Sequence, residues 1–169
     1  QCIGDCLHRV RCWSPQRGLI WLQREDVVCM YRGFQPKGLS KPWIIHEVEL
    51  CFSPAEKVWT QRRMDEVFER KRQTQPVGAK TCGCTFKNPE ESPAGLLLDR
   101  CGMRGERIGD VSFSVQHANF LLNQGNGCFA QAMDLITEAR RRVRDRFGLD
   151  LELEVQVVCS DLEATGDTL

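Results

Sequence analysis

The chain has 169 residues, of which 41% are hydrophobic and 27% are charged. This composition is typical of about one globular domain and excludes disordered, collagen-like and membrane-spanning classes. Lysine plus arginine and aspartate plus glutamate number 23 each, so no overall charge draws the chain to nucleic acid or to an anionic membrane, and we expect neither partner.

The first part of the chain predicts β-strands. Residues 8–13 alternate between polar and apolar side chains, residues 14–18 are typical of a turn, and residues 19–22 resume an extended pattern. Together these segments indicate a hairpin. After a loop rich in proline and glycine, residues 43–52 give the strongest strand signal of the sequence.

A helix is predicted over residues 54–73. Ser53 supplies an N-cap, Pro54 suits the first helical position, and Glu56 completes a capping-box pattern. Apolar residues recur at helical spacing along it, namely Val58, Met64, Val67 and Phe68. The run Gln75-Pro76-Val77-Gly78 ends the helix, and we place a domain boundary between residues 77 and 78 because the composition changes there.

Residues 78–160 predict a second, smaller α+β unit, followed by a tail at 161–169. Its predicted elements are a helix at 93–101, strands at 111–114 and 119–123, a helix at 128–147 and a strand at 151–158. The long helix carries one apolar stripe, formed by Phe129, Met133, Ile136, Ala139, Val143 and Phe147. The predicted fold class of the whole chain is α+β.

Ten cysteines suggest a metal or disulfide site, but their spacing does not favour one. There is no Cys-x-x-Cys pair, Cys82-Gly83-Cys84 alone is a weak metal signal, and the three histidines lie far from any cysteine pair. Most of the others lie in apolar patterns, as Cys12 and Cys51 do, where a thiol behaves as a small hydrophobe. We expect reduced core thiols and no metal; a zinc or redox protein is the alternative.

A cluster of arginines occupies residues 140–146 and could contact nucleic acid. The stronger interpretation is the polar face and last turns of an amphipathic helix, where cations complement the helix dipole. Dinucleotide-binding, phosphate-loop, zinc-protease and serine-hydrolase motifs are all missing from the sequence.

Three segments concentrate polar groups that a protein core does not require. Residues 81–89 combine a thiol, a cation and an amide in a flexible loop, residues 114–120 place polar groups ahead of a strand, and Glu152 and Glu154 lie on the polar face of the last strand. From residue chemistry alone, a turn or a solvated strand face explains each segment at least as well as a functional site does.

These segments carry a resemblance that extends over nearly the whole chain. The shared motifs are Gly83-Cys84-Thr85-Phe86-Lys87-Asn88-Pro89, Ala94-Gly95-Leu96-Leu97, Cys101-Gly102-Met103-Arg104-Gly105, Gly109, Ser114, His117-Ala118-Asn119-Phe120, and Phe147-Gly148-Leu149 through Leu151-Glu152-Leu153-Glu154-Val155, with Tyr31-Arg32 upstream. In this order they resemble the C-terminal part of the UDP-N-acetylenolpyruvoylglucosamine reductase (MurB) family of flavoenzymes.

The resemblance implies a cytoplasmic, monomeric enzyme that serves peptidoglycan precursor synthesis. In this family NADPH reduces FAD, which passes hydride to the enolpyruvyl ether of a UDP-sugar and yields UDP-N-acetylmuramate. The chemistry requires a positioned acid and stabilisation of the developing enolate. Residues 1–77 resemble the end of the FAD-binding domain, and residues 78–160 resemble the substrate domain.

The resemblance also assigns roles to single residues. Arg32 matches the arginine that stabilises the enolate carboxylate, Cys84 the serine proton donor, and Glu154 the acidic catalytic residue of the last strand. Substrate-binding positions are matched by Tyr31, Lys87, Asn88, His117 and Asn119.

Some features depart from the family pattern. A thiol replaces the serine at Cys84; it is a far stronger acid than an alcohol, at the cost of sensitivity to oxidation. Leu153, Gln156 and Arg104 are smaller departures. The sequence begins at Gln1 rather than Met, and we expect it to be a piece of a longer protein that binds flavin poorly by itself. An inactive remnant or a UDP-sugar-binding module without flavin is the alternative function.

Overall fold

The computed structural model describes residues 2–158 and confirms the α+β class. Within this range, three α-helices alternate with several antiparallel sheets. The chain divides into two compact units between Thr60 and Gln61, which lie in a helix. The assignment of residues 1–77 and 78–160 to a flavin part and a substrate part stays a prediction.

The first unit is built on the predicted hairpin. Strands β1 (Leu7–Ser14) and β2 (Gly18–Gln23) pair antiparallel, and β5 (Ile44–Leu50) pairs with the other side of β1. A second hairpin of β3 (Val27–Met30) and β4 (Gly33–Pro36) was not predicted. The core consists of Val10, Cys12, Leu22, Val27 and Leu39.

Helix α1 (Lys57–Thr74) begins three residues later than the predicted start at Pro54. The prediction of an N-cap at Ser53 was wrong, because the backbone N–H of Thr60 donates to the carbonyl of Glu56 (3.0 Å) and opens the helix there. No residue of α1 is buried, so the apolar spacing along it does not correspond to a packed face.

The second unit places its helices beside a four-stranded antiparallel sheet. The strands are β6 (Thr81–Cys84), β7 (Arg107–Ile108), β8 (Val111–Phe113) and β9 (Phe120–Asn123), and their order across the sheet is β6, β9, β8, β7. Helix α2 (Ala94–Arg100) and helix α3 (Phe129–Phe147) match their predicted positions closely. Strands β6 and β7 were not predicted.

The apolar stripe of α3 is confirmed in its middle and not at its start. Ile136, Ala139 and Val143 are buried in the core of the unit, together with Leu135. Phe129 remains 63% exposed, because the first turn of α3 borders an open pocket instead of the core. Gly148 ends the helix in a left-handed conformation, with φ of 68°.

The predicted strand at 151–158 does not form as a regular strand. Only one isolated antiparallel bridge is present there, between Phe86 and Leu153. The partner segment is short, since Pro89 follows it and a proline has no N–H to extend the pairing. Leu151 is buried and Leu153 packs partly buried against the core, whereas Val157 is 42% exposed, so only the first half of the predicted apolar face reaches the core.

Among residues 2–158, no helix combines the length and the apolar character that crossing a membrane requires.

Candidate functional site

A short segment after β6 lies at the centre of the polar residues of the second unit. Residues 85–87 run between β9 on one side and residues 152–154 on the other. The backbone N–H of Thr85 donates to the carbonyl of Asn119 (2.7 Å), and the N–H of Glu154 donates to the carbonyl of Thr85 (2.9 Å). Main-chain hydrogen bonds therefore bring the three polar segments of the sequence together.

Cys84 lies at the end of β6, opposite Phe120 of β9. It is half-buried and follows Gly83, whose φ of 87° belongs to the left-handed region that favours glycine. The N–H of Glu154 donates to the carbonyl of Thr85, the residue that follows Cys84. The backbone of Glu154 therefore contacts the immediate neighbour of Cys84. The two predicted catalytic residues of this unit thus occupy adjoining segments.

Lys87 is bound to the last segment by backbone and side chain. Its N–H donates to the carbonyl of Glu152 (2.9 Å), and its ammonium group forms an ion pair with the Glu152 carboxylate. The side chain of Lys87 is 32% exposed and that of Glu152 is 72% exposed. The cation is therefore reachable from solvent and is held by a carboxylate that an incoming anion could displace.

Asn119 fixes the segment from the sheet side. Its side-chain Oδ1 accepts from the N–H of Phe86 (2.9 Å), and its Nδ2 donates to the carbonyl of the same residue (2.8 Å). Asn119 is 1% exposed and Phe86 is fully buried. The structure therefore gives Asn119 a supporting contact beneath the site; its predicted contact with substrate stays a prediction.

Asn88 connects the same loop to α2. Its Oδ1 accepts from the N–H of Ala94 (3.0 Å), the first residue of the helix. This bond satisfies one of the N–H groups that a helix start leaves without an internal partner.

The His117 ring is held on several sides. The backbone N–H of His117 donates to Ser114 Oγ (3.3 Å), and the ring Nδ1 accepts from the backbone N–H of Asn119 (3.2 Å). The ring packs edge-on against Phe120, with 4.9 Å between ring centroids. A side chain at Gly95 would place its Cβ 2.9 Å from His117 Cε1, so glycine permits the approach of α2 to this ring.

Burial lowers the pKa of His117, and the positive charge of Arg104 acts in the same direction. A folded-state pKa below the unfolded value means that the unfolded chain binds more protons, so His117 destabilises the fold as the pH falls below about 6.5. We expect the free energy of unfolding to drop between about pH 7 and pH 5, and the drop to be smaller in His117→Gln. Chemical denaturation of both proteins at each pH measures the difference; equal drops would contradict the expectation.

Arg104 departs from the family pattern, and the sequence did not predict its structural contacts. Its guanidinium donates to Asp99 through two bonds (Nε to Oδ1, 2.6 Å; Nη2 to Oδ2, 2.9 Å), and its Nη1 donates to the carbonyl of Val115 (2.6 Å). The pair lowers the pKa of Asp99. Arg104 therefore holds the loop that precedes His117. Only the five-residue spacing from Asp99 signals this pair in the sequence.

The first unit contains the other two predicted site residues. Tyr31 and Arg32 form the two-residue turn between β3 and β4, and Arg32 adopts φ of 51°, which is unusual for a residue with a side chain. The turn borders a cleft of about 710 Å³. Its other walls are mostly apolar and are formed by Cys2, Ile3, Gly4, Leu7, Val10, Cys29, Met30, Gly33, Phe34, Ile45, Val48 and Leu50.

The cysteines differ from the prediction of core thiols. Cys12 is buried, but Cys2, Cys51, Cys82 and Cys128 are exposed. The pattern around Cys51 was misleading because β5 ends at Leu50 and the chain then leaves the sheet. The nine cysteines in the described range form no disulfide bonds, and no three His, Cys, Asp or Glu side chains there are grouped as a metal site.

Three arginines of α3, namely Arg141, Arg142 and Arg144, form ion pairs with carboxylates. Glu138 receives hydrogen bonds from Arg141 and Arg142, which lower its pKa to about 2. Arg141 also contacts Asp145, and Arg144 contacts Asp150. These pairs support the interpretation of the arginine cluster as the polar, solvent-exposed face of α3. The absence of a nucleic-acid partner stays a prediction.

Residues 75–158 match the family model described as the C-terminal domain of UDP-N-acetylenolpyruvoylglucosamine reductase. The chain belongs to this reductase family.

Relatives of the family match beyond that domain. The UDP-N-acetylenolpyruvoylglucosamine reductase of Nitratidesulfovibrio vulgaris is 36% identical over 156 residues, which are 92% of this chain and 53% of the relative. That of Oleidesulfovibrio alaskensis is 39% identical over 158 residues, or 92% and 52%. The crystal structure of the reductase (MurB) from Thermus caldophilus matches with a TM-score of 0.74 and 32% identity, over 89% of this chain and 53% of that one.

The chain thus spans about half the length of the curated reductases it matches. The family model that matches within this span is that of the C-terminal domain.

Proposed function

We propose that this chain provides the substrate-binding and proton-donating part of a UDP-N-acetylenolpyruvoylglucosamine reductase. The reaction reduces UDP-N-acetylglucosamine enolpyruvate to UDP-N-acetylmuramate in the cytoplasm, with NADPH as reductant and FAD as hydride carrier. One observation carries the proposal: backbone hydrogen bonds join the segment of Cys84 and Lys87 to the segment of Glu154. We call these two segments the junction, and both lie within the residues that match the reductase domain.

Several polar groups in and beside the junction suit an acidic sugar nucleotide. The Lys87 ammonium is accessible beside an exposed carboxylate, and it would neutralise part of the charge of a diphosphate. Asn88 and His117 border the same loop through α2 and β9. Asn119 would act as a positioning residue, because it holds Phe86 between Cys84 and Lys87.

Cys84 would deliver the proton that the reduction requires. Hydride reaches one carbon of the enolpyruvyl double bond, negative charge develops toward the carboxylate, and the S–H bond of Cys84 breaks as the neighbouring carbon gains the proton. Glu154 would orient the donor. The family resemblance gives Arg32 the task of stabilising the enolate carboxylate. A positioned acid of this kind accelerates such a step by about 10²–10⁴-fold.

Residues 2–158 fit FAD incompletely. The cleft beside Tyr31 has apolar walls that suit a flat ring, but Arg32 is the only cation among its lining residues, and FAD carries a charged diphosphate. Bound FAD supplies hydride transfer; we assign no residue of the described range to its diphosphate. The second candidate function is a UDP-sugar-binding module without flavin activity, which Lys87 and its loop would serve without a site for the FAD diphosphate.

Calorimetric titration of the chain with UDP-N-acetylglucosamine enolpyruvate tests the binding part of the proposal. We expect saturable binding at one site per chain. Absence of binding by the folded chain would contradict both candidate functions. With FAD and the flavin-binding part of a relative added, oxidation of NADPH upon substrate addition would distinguish the reductase from the binding module.

The junction predicts a specific effect for Lys87. We expect Lys87→Met to weaken binding of the UDP-sugar about tenfold or more, since an anion loses its cationic partner. Stability should change by less than about 1 kcal/mol, because the pair with Glu152 is exposed to solvent. Glu152→Gln is the matched control, and it should bind at least as tightly as the unchanged chain. Equal affinity of Lys87→Met and wild type would exclude Lys87 from the site.

A further inference from the structure

One buried hydroxyl group beside Cys84 has no hydrogen-bond partner in the part of the chain that the structure describes. It belongs to Thr85, whose side chain is 0% exposed and whose Oγ1 neither donates nor accepts a hydrogen bond there. A buried polar group without a partner destabilises a fold, and most such groups in proteins are paired. Valine has nearly the same shape and carries no hydroxyl, so packing alone does not account for threonine at this position.

The backbone of Thr85 is held on two sides. Its N–H donates to the carbonyl of Asn119 (2.7 Å), and its carbonyl accepts from the N–H of Glu154 (2.9 Å) and from that of Val155 (3.5 Å). Because threonine is branched at Cβ, few side-chain rotamers remain once the backbone is fixed. The hydroxyl is therefore kept close to one position, next to Cys84 in the sequence.

Glu154 lies across from Thr85. Phe86 and Leu153 form an antiparallel bridge, and one step along each segment from that bridge brings Thr85 opposite Glu154. Residues opposite each other in an antiparallel pair project to the same face, with their Cβ atoms about 4.5–5.5 Å apart. A hydroxyl and a carboxylate at that separation are within reach of a hydrogen bond in which the hydroxyl donates.

The two side chains whose backbones bind Thr85 differ in what they can accept. The Asn119 amide already makes two bonds to the backbone of Phe86, one from Oδ1 and one from Nδ2. A carboxylate has two oxygens and about four acceptor sites, so Glu154 can accept from Thr85 in addition to the contacts that it already has. The Glu154 carboxylate is thus the acceptor that suits this hydroxyl.

We propose that Thr85 is a positioning residue of the reductase. Its hydroxyl donates to the Glu154 carboxylate when the UDP-sugar is bound and holds Glu154 in the orientation that serves Cys84. The inference rests on the proposed function. Thr85 keeps its proton throughout, and Cys84 remains the donor to the substrate carbon. Since the hydroxyl lacks this bond in the free chain, the bond contributes to catalysis and not to folding.

Thr85→Val tests the inference because its expected effects on stability and on catalysis are opposite. The substitution removes an unpaired buried hydroxyl, so we expect the urea midpoint of the chain to stay equal or to rise. In the enzyme assembled with the flavin-binding part of a relative, we expect kcat to fall about tenfold and KM to change less than about twofold. A merely structural threonine would leave kcat unchanged.

Thr85→Ser is the matched control, since it keeps the hydroxyl and loses one methyl group. We expect it to retain kcat within about threefold of wild type, although its urea midpoint should fall because the lost methyl leaves a small cavity. Stopped-flow measurement should place the loss in Thr85→Val at flavin reoxidation by the UDP-sugar and not at flavin reduction by NADPH.

Each of the remaining outcomes overturns the inference. Equal kcat of Thr85→Val and wild type would do so while leaving the proposed function intact. A clear fall in the urea midpoint of Thr85→Val would show that the hydroxyl already has a partner in the free chain. If the unchanged chain in the assembled enzyme does not oxidise NADPH upon substrate addition, the proposed function fails and the role of Thr85 fails with it.

Discussion

Asn119→Ala is expected to lower the free energy of unfolding of the second unit by about 2–4 kcal/mol. The side chain makes two hydrogen bonds to the backbone of Phe86, and both residues are buried. Its removal leaves a buried N–H and a buried carbonyl without partners, and each such group costs about 1–3 kcal/mol. Urea denaturation followed by circular dichroism measures the loss.

Asn88→Ala is the matched control for this change. Asn88 makes one side-chain hydrogen bond, to the N–H of Ala94, and is exposed, so its loss should cost about 1 kcal/mol. Amide exchange should show lost protection at Phe86 in Asn119→Ala only. If Asn119→Ala remained within about 0.5 kcal/mol of wild type, the clamp on Phe86 would not stabilise the site.

Cys84→Ala is expected to lower kcat by about 10²–10⁴-fold in the enzyme assembled with its flavin-binding part. The substitution removes the proposed proton donor and leaves the backbone contacts of β6 in place, so KM should change little. Stopped-flow measurement of flavin reoxidation by the UDP-sugar separates this step from reduction by NADPH.

Cys84→Ser supplies the control, since serine is the residue that the family pattern places there. It should retain activity within about tenfold of wild type. Peroxide should inactivate the wild type and spare Cys84→Ser, because a thiol oxidises and an alcohol does not. Full activity of Cys84→Ala would remove Cys84 from the mechanism while leaving the UDP-sugar site intact.

The spacing of apolar residues predicted correctly those helices and strands in which the apolar positions are buried. The stripe of α3 is buried through Ile136, Ala139 and Val143, and the hairpin of β1 and β2 alternates as a sheet with one covered face does. The hairpin of β3 and β4 escaped prediction because its turn is Tyr31-Arg32, without the glycine or asparagine that usually signals a positive φ. Helix α1 shows the reverse error, because its apolar spacing has no packed partner.

The same distinction applies to the candidate site. The motifs around Cys84, Asn119 and Glu154 identified the segments from the sequence alone, since residue type and order carry that information. They could not show that Asn119 supports Phe86 from below, because an asparagine in a motif is compatible with contact to substrate or to backbone. Arg104 was likewise missed as a loop support, because its bond to Val115 joins residues that only the fold brings together.

The sequence by itself determined the α+β class, the order of most elements and the family, all of which depend on local periodicity and on residue motifs. The tertiary structure decided which distant segments meet. Residues 85–87 lie between Asn119 and Glu154 because a short strand extension accepts backbone pairing on both sides. It also decided which part of the first sheet is buried: Val10 on β1 is 1% exposed, whereas its partner Val48 on β5 is 48% exposed. Burial is a property of the whole fold, and the residue pattern of a strand cannot show whether another segment packs over its apolar face.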